Sequence, residues 1–190
     1  MNRRTLMVSL MMLVIVNTNG QQVPTFSLTN VVNGKPVSLD TYPSCSGLVI
    51  VFTSNACAYD EYYRVRIKKL SKDYQDKVPV LLVNSSADPL ESADNMTRKA
   101  QQLGLTVPYL ADKEQTLMQN LGATKSPHVF LLKNDGGKFS VVYSGAIDDN
   151  AQVEADVRHA YLKDAIDIML TNQKIETTEV RPVGCTIRKK

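Results

Sequence analysis

Tryptophan is absent from this chain of 190 residues, histidine occurs twice and cysteine three times. The missing tryptophan excludes nothing by itself, but the cysteine count does. Cys45, Cys57 and Cys185 allow at most one intramolecular bridge and leave one thiol over. That excludes a disulfide-stapled miniprotein and a four-cysteine zinc centre, and no metal or other cofactor is expected. Long apolar runs are lacking too. The stretch 5–16 falls short of the roughly 20 residues needed to cross a ~30 Å hydrocarbon core.

That stretch has a different use. It follows the basic start Met1-Asn2-Arg3-Arg4 and precedes the small residues of Thr18-Asn19-Gly20. Residues 1–20 are therefore expected to be a signal peptide, cut before Gln21. The mature protein would be exported, periplasmic or secreted, with no stable membrane insertion after cleavage. An uncleaved N-terminal anchor is the competing reading. Two of the 22 lysines and arginines leave with the segment, so 20 basic residues face 19 acidic ones. Such a balance offers no footprint for nucleic acid.

The remainder fits one domain, 21–175, followed by a polar tail, 176–190, that carries Cys185. Phe26-Ser27-Leu28 and Pro36-Val37-Ser38-Leu39 flank Asn33-Gly34, which predicts a hairpin with a two-residue turn. A buried strand is expected over Leu48 to Thr53 and a second from Val78 to Val83, with a helix between them from Cys57 to Tyr74. Further helices are predicted over Leu90–Leu103, Lys113–Leu121 and Val153–Leu170. A last hairpin is predicted for His128–Leu132 and Ser140–Tyr143. Strands alternating with helices predict an α/β domain of three layers around a central mixed sheet.

Chemistry concentrates at Cys57, where the first strand hands over to the first helix. A helix N-terminus directs unpaired N–H groups and a positive dipole end at the sulfur, which favours its thiolate. Three residues earlier stands Ser54.

The order of these pieces resembles the thioredoxin-like superfamily, and within it the peroxiredoxin-like, redoxin branch. The residues that carry the resemblance are the N-terminal hairpin, Val51-Phe52-Thr53-Ser54-Asn55-Ala56-Cys57, Gly122-Ala123-Thr124-Lys125-Ser126-Pro127-His128, Tyr143-Ser144-Gly145 and the tail Pro182-Val183-Gly184-Cys185-Thr186-Ile187. The resemblance implies a cis proline at Pro127 packed against the active turn, with Ser126 and Pro127 offering a backbone edge to substrate. It also implies a thiol oxidoreductase acting on protein thiols, disulfides or peroxide, with an unidentified reductant.

The chain departs from both patterns of that superfamily. Where a CxxC protein has its first cysteine it has Ser54, so dithiol exchange within the motif is impossible and Cys57 remains as the redox thiol. Where a peroxiredoxin has proline and arginine it has Ile50 and, as the nearest loop candidate for a cation, Lys125. Ser54 could supply the hydroxyl that such enzymes direct at the thiolate. His128 offers a base, or a structural histidine.

Resolving cysteines in some peroxiredoxins reach the site from a tail, which makes Cys185 the partner suggested for Cys57. A free or buried structural thiol is the alternative. Cys45 lies at the other end of the strand, roughly 20 Å away at ~3.3 Å per residue, beyond the ~7 Å limit for bridged Cα atoms. Two functions remain open: an exported oxidoreductase, or a thioredoxin-fold module that has lost catalysis and holds peptides on the Pro127 edge. Asp148, Asp149 and Asp156 are expected in a solvated acidic loop. Asn84-Ser85-Ser86 and Asn95-Met96-Thr97 match the glycosylation triplet.

Overall fold

A computed structural model describes residues 21–190, so the expected signal peptide lies outside the described residues. The strands are β1 (Ser27–Asn30), β2 (Pro36–Ser38), β3 (Gly47–Phe52), β4 (Val80–Asn84), β5 (Tyr109–Ala111), β6 (Lys125–Ser126), β7 (His128–Asp135), β8 (Lys138–Gly145), β9 (Glu179–Val180) and β10 (Cys185–Thr186). Four helices join them: α1 (Ala58–Asp73), α2 (Ala93–Leu103), α3 (Thr116–Leu121) and α4 (Tyr161–Leu170).

Eight strands form one mixed sheet in the order β2-β1-β5-β4-β3-β7-β8-β9. β3, β4 and β5 run parallel, while β7 returns antiparallel beside β3 and β8 antiparallel beside β7. A central strand meets protein on both faces, which is why β3 is apolar at every position and buried throughout. Alternation sends Leu48, Ile50 and Phe52 to one face, where they pack with Leu117, Met118 and Leu121 of α3. Val49 and Val51 point to the other, against Tyr63 of α1, Met96 of α2 and Ile166 of α4. The expected three layers result.

Several local expectations need correction. The first hairpin does not turn on two residues: Thr29 pairs with Pro36, so the connection is longer, closed by the Gly34 N–H on the Asn30 carbonyl at 2.7 Å. The final helix begins at Tyr161 rather than Val153, preceded by a single 3-10 turn at Glu154–Asp156. Backbone donors in that stretch are diverted to side chains. Asn150 Oδ1 accepts from the N–H groups of Gln152 and Val153, and Asp149 Oδ1 from those of Arg158 and His159.

The acidic loop is not uniformly solvated either. Asp148 is buried, paired with Arg66 at 2.5 Å and accepting from the Tyr63 hydroxyl at 3.0 Å. This pair turns Asp60, Tyr63 and Arg66 inward on α1 and leaves the apolar side chains of Tyr62 and Val65 exposed. A buried guanidinium needs its partners inside, and the helix rotates to supply them. The tail, expected to be merely polar, adds β9 in parallel to β8 and β10 antiparallel to β6.

Candidate active site

β3 ends at Phe52, residues 53–56 turn, and Cys57 is the N-cap of α1, with no side chain capping the first N–H groups. The Ser126–Pro127 peptide bond is cis, as the resemblance implies. It separates β6 from β7 and brings the Ser126 carbonyl oxygen to 3.1 Å from Cys57 Sγ. Cys57 is 6 % exposed and forms a disulfide with half-buried Cys185, with the Cα atoms 6.0 Å apart at a sequence separation of 128. Of the expected site residues, Cys57, Ser126, Pro127 and Cys185 thus meet at one place. Cys45 is a free thiol at the opposite end of β3, donating to the Tyr42 carbonyl at 3.2 Å.

Ser54 plays a different part from the one expected. Its hydroxyl donates to Glu91 at 2.7 Å, so its proton is committed to a carboxylate rather than to sulfur. Glu91 comes from the 3-10 turn Pro89–Glu91, is 1 % exposed, and also accepts from the N–H groups of Asn55 and Ala56 at 2.9 and 3.0 Å. Asn84 Nδ2 donates to the same carboxylate at 2.7 Å. Four donors offset the cost of burying that charge, and they hold the turn in shape. Asn84 is wholly buried by this duty, which removes it as a glycosylation acceptor in the folded protein.

A second buried carboxylate, Asp60, closes the other side. It accepts from Thr53 Oγ1 at 2.7 Å, from the Ser54 N–H at 3.1 Å and from the Ser126 hydroxyl. Burial pushes its pKa up to about 6, against the opposing pull of those hydrogen bonds. Asp60 therefore ties the turn to the residue before the cis proline. Tyr109 donates to Asn55 Oδ1 at 2.9 Å, and Lys113, its pKa lowered to about 8 by burial, donates to Asn84 Oδ1 at 2.8 Å.

Lys125 does not serve the sulfur: its ammonium donates to Thr186 Oγ1 at the surface. His128 is buried against the Phe130 ring, accepts the Thr124 N–H at 3.4 Å, and is held neutral by a burial-lowered pKa of about 4. Its role is structural. A mostly apolar groove of about 390 Å³ runs from Thr53, Cys57 and Asp60 along α1 to the end of α2, with Arg64, Lys68 and Lys99 on its walls. Among the described residues no group of three or more His, Cys, Asp or Glu could hold a metal ion.

Glu91, Asp60 and Asn84 were invisible as site residues in the sequence. Asp60 had one local signal, an acid three residues after the capping cysteine in the first turn of a helix. Glu91 had none, because it reaches the turn across 35 or more residues of chain.

A cis proline facing a bridged cysteine at the start of a helix, beyond the end of a central strand of a mixed sheet, defines a thioredoxin-like protein. The Redoxin family model matches residues 18–161, and the chain belongs to that family. An uncharacterized conserved protein of Geobacillus kaustophilus is similar at 28% identity and a TM-score of 0.80, over 90% of this chain and 92% of that one. A hypothetical protein of Sinorhizobium meliloti 1021 is similar at 28% identity and a TM-score of 0.80, over 91% and 95%. The exposed lipoprotein thioredoxin of Streptococcus pneumoniae TIGR4 shares the fold at 21% identity and a TM-score of 0.56, over 76% and 99%. No curated protein matches the chain.

Proposed function

We propose that the protein is an exported thiol-disulfide oxidoreductase whose redox couple is the Cys57–Cys185 bridge. The observation that carries this reading is the position of that bridge, which closes between the turn at the start of α1 and the strand edge next to the cis proline. There an exchanging thiol meets the helix N-terminus that stabilises thiolate. Dithiol exchange, impossible within the Ser54…Cys57 motif, becomes possible between 57 and 185. In the reducing direction two electrons pass from the dithiol to a protein disulfide, and an external protein dithiol restores them.

Peroxide is the poorer substrate, because the Ser54 proton and the Lys125 ammonium are both engaged elsewhere. The peptide-binding alternative loses its surface, since β10 already occupies the Ser126 edge. Export is supported by the basic and apolar N-terminus. The likeness to an exposed lipoprotein thioredoxin agrees with it.

The test is equilibration of native protein in glutathione buffers of graded ratio, read by non-reducing peptide mapping. A reversible two-electron titration of the 57–185 bridge is expected. A bridge that stays closed in millimolar dithiothreitol without denaturant would overturn the proposal.

A further inference from the structure

Resting on that reading, we infer that Cys185 is the attacking cysteine and Cys57 the resolving one, so that the tail supplies the cysteine which Ser54 removes from the motif.

The two cysteines differ in exposure. Cys57 is 6 % exposed, enclosed by the Ser126 carbonyl and by Cys185 itself, whereas Cys185 is half-buried on a two-residue edge strand. Of the two bonded sulfurs, the reachable one is attacked and the other must leave. A thiolate leaving at Cys57 departs at the uncapped N-terminus of α1, toward N–H groups and the positive dipole end.

Cys185 could serve only if it stays in place after reduction, and its neighbours on both sides are pinned without the bridge. Upstream, Val180 lies against Gly145, which has φ +134° and no room for a Cβ, and the Val180 carbonyl accepts from Ala146 at 3.1 Å. Gly184 passes so close to the Ser126 carbonyl that any larger residue would collide. Downstream, Ile187 is buried in the core and its N–H donates to the Thr124 carbonyl at 3.1 Å. Arg188 O accepts from the Ala87 N–H at 2.9 Å and from Gln115 Nε2 at 2.8 Å, and Gln115 Oε1 accepts from the Lys190 N–H at 3.0 Å. Gln115 is buried with φ +61°, a left-handed conformation that disfavours a non-glycine residue and that persists where its surroundings hold it. The reduced thiols therefore remain neighbours, and the second step is intramolecular at high effective concentration.

The cycle balances as follows. Cys185 thiolate attacks a substrate disulfide R–S–S–R′, forming Cys185–S–S–R and releasing R′S⁻. Cys57 loses its proton and attacks Cys185 Sγ, closing the 57–185 bridge and releasing RS⁻, and both released thiolates take up protons. A protein dithiol reverses the change: one of its thiolates attacks Cys185 Sγ and expels Cys57 thiolate, and its second thiolate attacks its own bonded sulfur and expels Cys185 thiolate. The partner leaves as a disulfide, and both cysteines take up its protons.

The test reduces native wild-type protein, pulses it with iodoacetamide and follows each cysteine by mass spectrometry. Cys185 is expected to alkylate at least tenfold faster than Cys57; a ratio below tenfold overturns the assignment. In parallel, reduced Cys57→Ser and Cys185→Ser, both of which lack the bridge, are exposed to oxidised glutathione. Cys57→Ser is expected to accumulate a stable adduct at Cys185 at least tenfold faster than Cys185→Ser does at Cys57, and the reverse order overturns it. A bridge that titrates reversibly while adducts form first on Cys57 would sink this assignment alone; a bridge that does not titrate sinks the oxidoreductase reading beneath it.

Discussion

One strand carries a cysteine near each end, and the two thiols live in different chemistry. Before the start of β3, Cys45 meets backbone: its thiol donates to Tyr42 O, and its carbonyl accepts from Asn134 Nδ2 at 2.8 Å. Burial raises the pKa of that thiol, which makes it a poor nucleophile at neutral pH. Beyond the other end, Cys57 caps a 16-residue helix and is bridged to the tail, within a turn held by two buried carboxylates, Asp60 and Glu91. Local sequence separates these ends only by the helix that follows Cys57, since both cysteines lie among small and polar residues. What separates them is the company brought by the tail and by the turn after β4.

Breaking the bridge should divide the two ends most sharply. Cys185→Ser is expected to lower disulfide-exchange activity by at least 100-fold. It should also destabilise the oxidised protein by about 4 kcal/mol, the order expected for losing a cross-link over so long a loop. Cys45→Ser should leave activity within twofold and cost less than about 1 kcal/mol. Urea titrations and insulin reduction measure both, and equal losses from the two substitutions would erase the contrast.

The pH dependence should sharpen it next. Asp60 has its folded pKa raised to about 6 from 3.8, so its contribution to stability is present at low pH and is lost as pH rises from about 4 to 6. His128 has its folded pKa lowered to about 4 from 6.5, so its contribution is present at neutral pH and is lost as pH falls through the same window. Each is on the order of 3 kcal/mol at full titration, and in wild type they oppose. Asp60→Asn should therefore make stability fall steeply with acid between pH 6 and 4, whereas His128→Gln should make it rise. Chemical denaturation at half-unit pH steps would show the two slopes, and slopes of the same sign would refute this account.

Smaller effects come from single polar links. Glu91→Gln keeps the shape but faces the turn's donors with an amide, and should cost about 2 kcal/mol by urea titration. Lys125→Ala removes an exposed contact to Thr186 and should cost less than about 0.5 kcal/mol, with exchange activity within twofold. A large loss of activity from Lys125→Ala would return that ammonium to the sulfur.

Much of the fold was legible because it rests on local periodicity. The apolar runs of β3 and β7 and the glycine that ends α2 at Gly104 each declare themselves within a few residues. Element boundaries failed where side chains took over backbone hydrogen bonds, as Asp149 and Asn150 do before α4. The faces of α1 failed because hydropathy assigns arginine and aspartate to solvent, and a buried pair with Asp148 reverses that. At the site, the turn, Cys57 and Pro127 could be placed from the motif, but Glu91 and Asp60 could not be assigned a role there.

The sequence alone determined that a strand would deliver Cys57 to a helix N-terminus with a serine where a second thiol is needed, because strand, cap and motif are short-range properties. Tertiary structure decided what completes the pair. The bridge to Cys185 depends on β9, Ile187 and Gln115 holding the tail across a separation of 128 residues. Contacts over such distances follow from packing and from the pairing of buried polar groups, and neither has a local pattern to announce it.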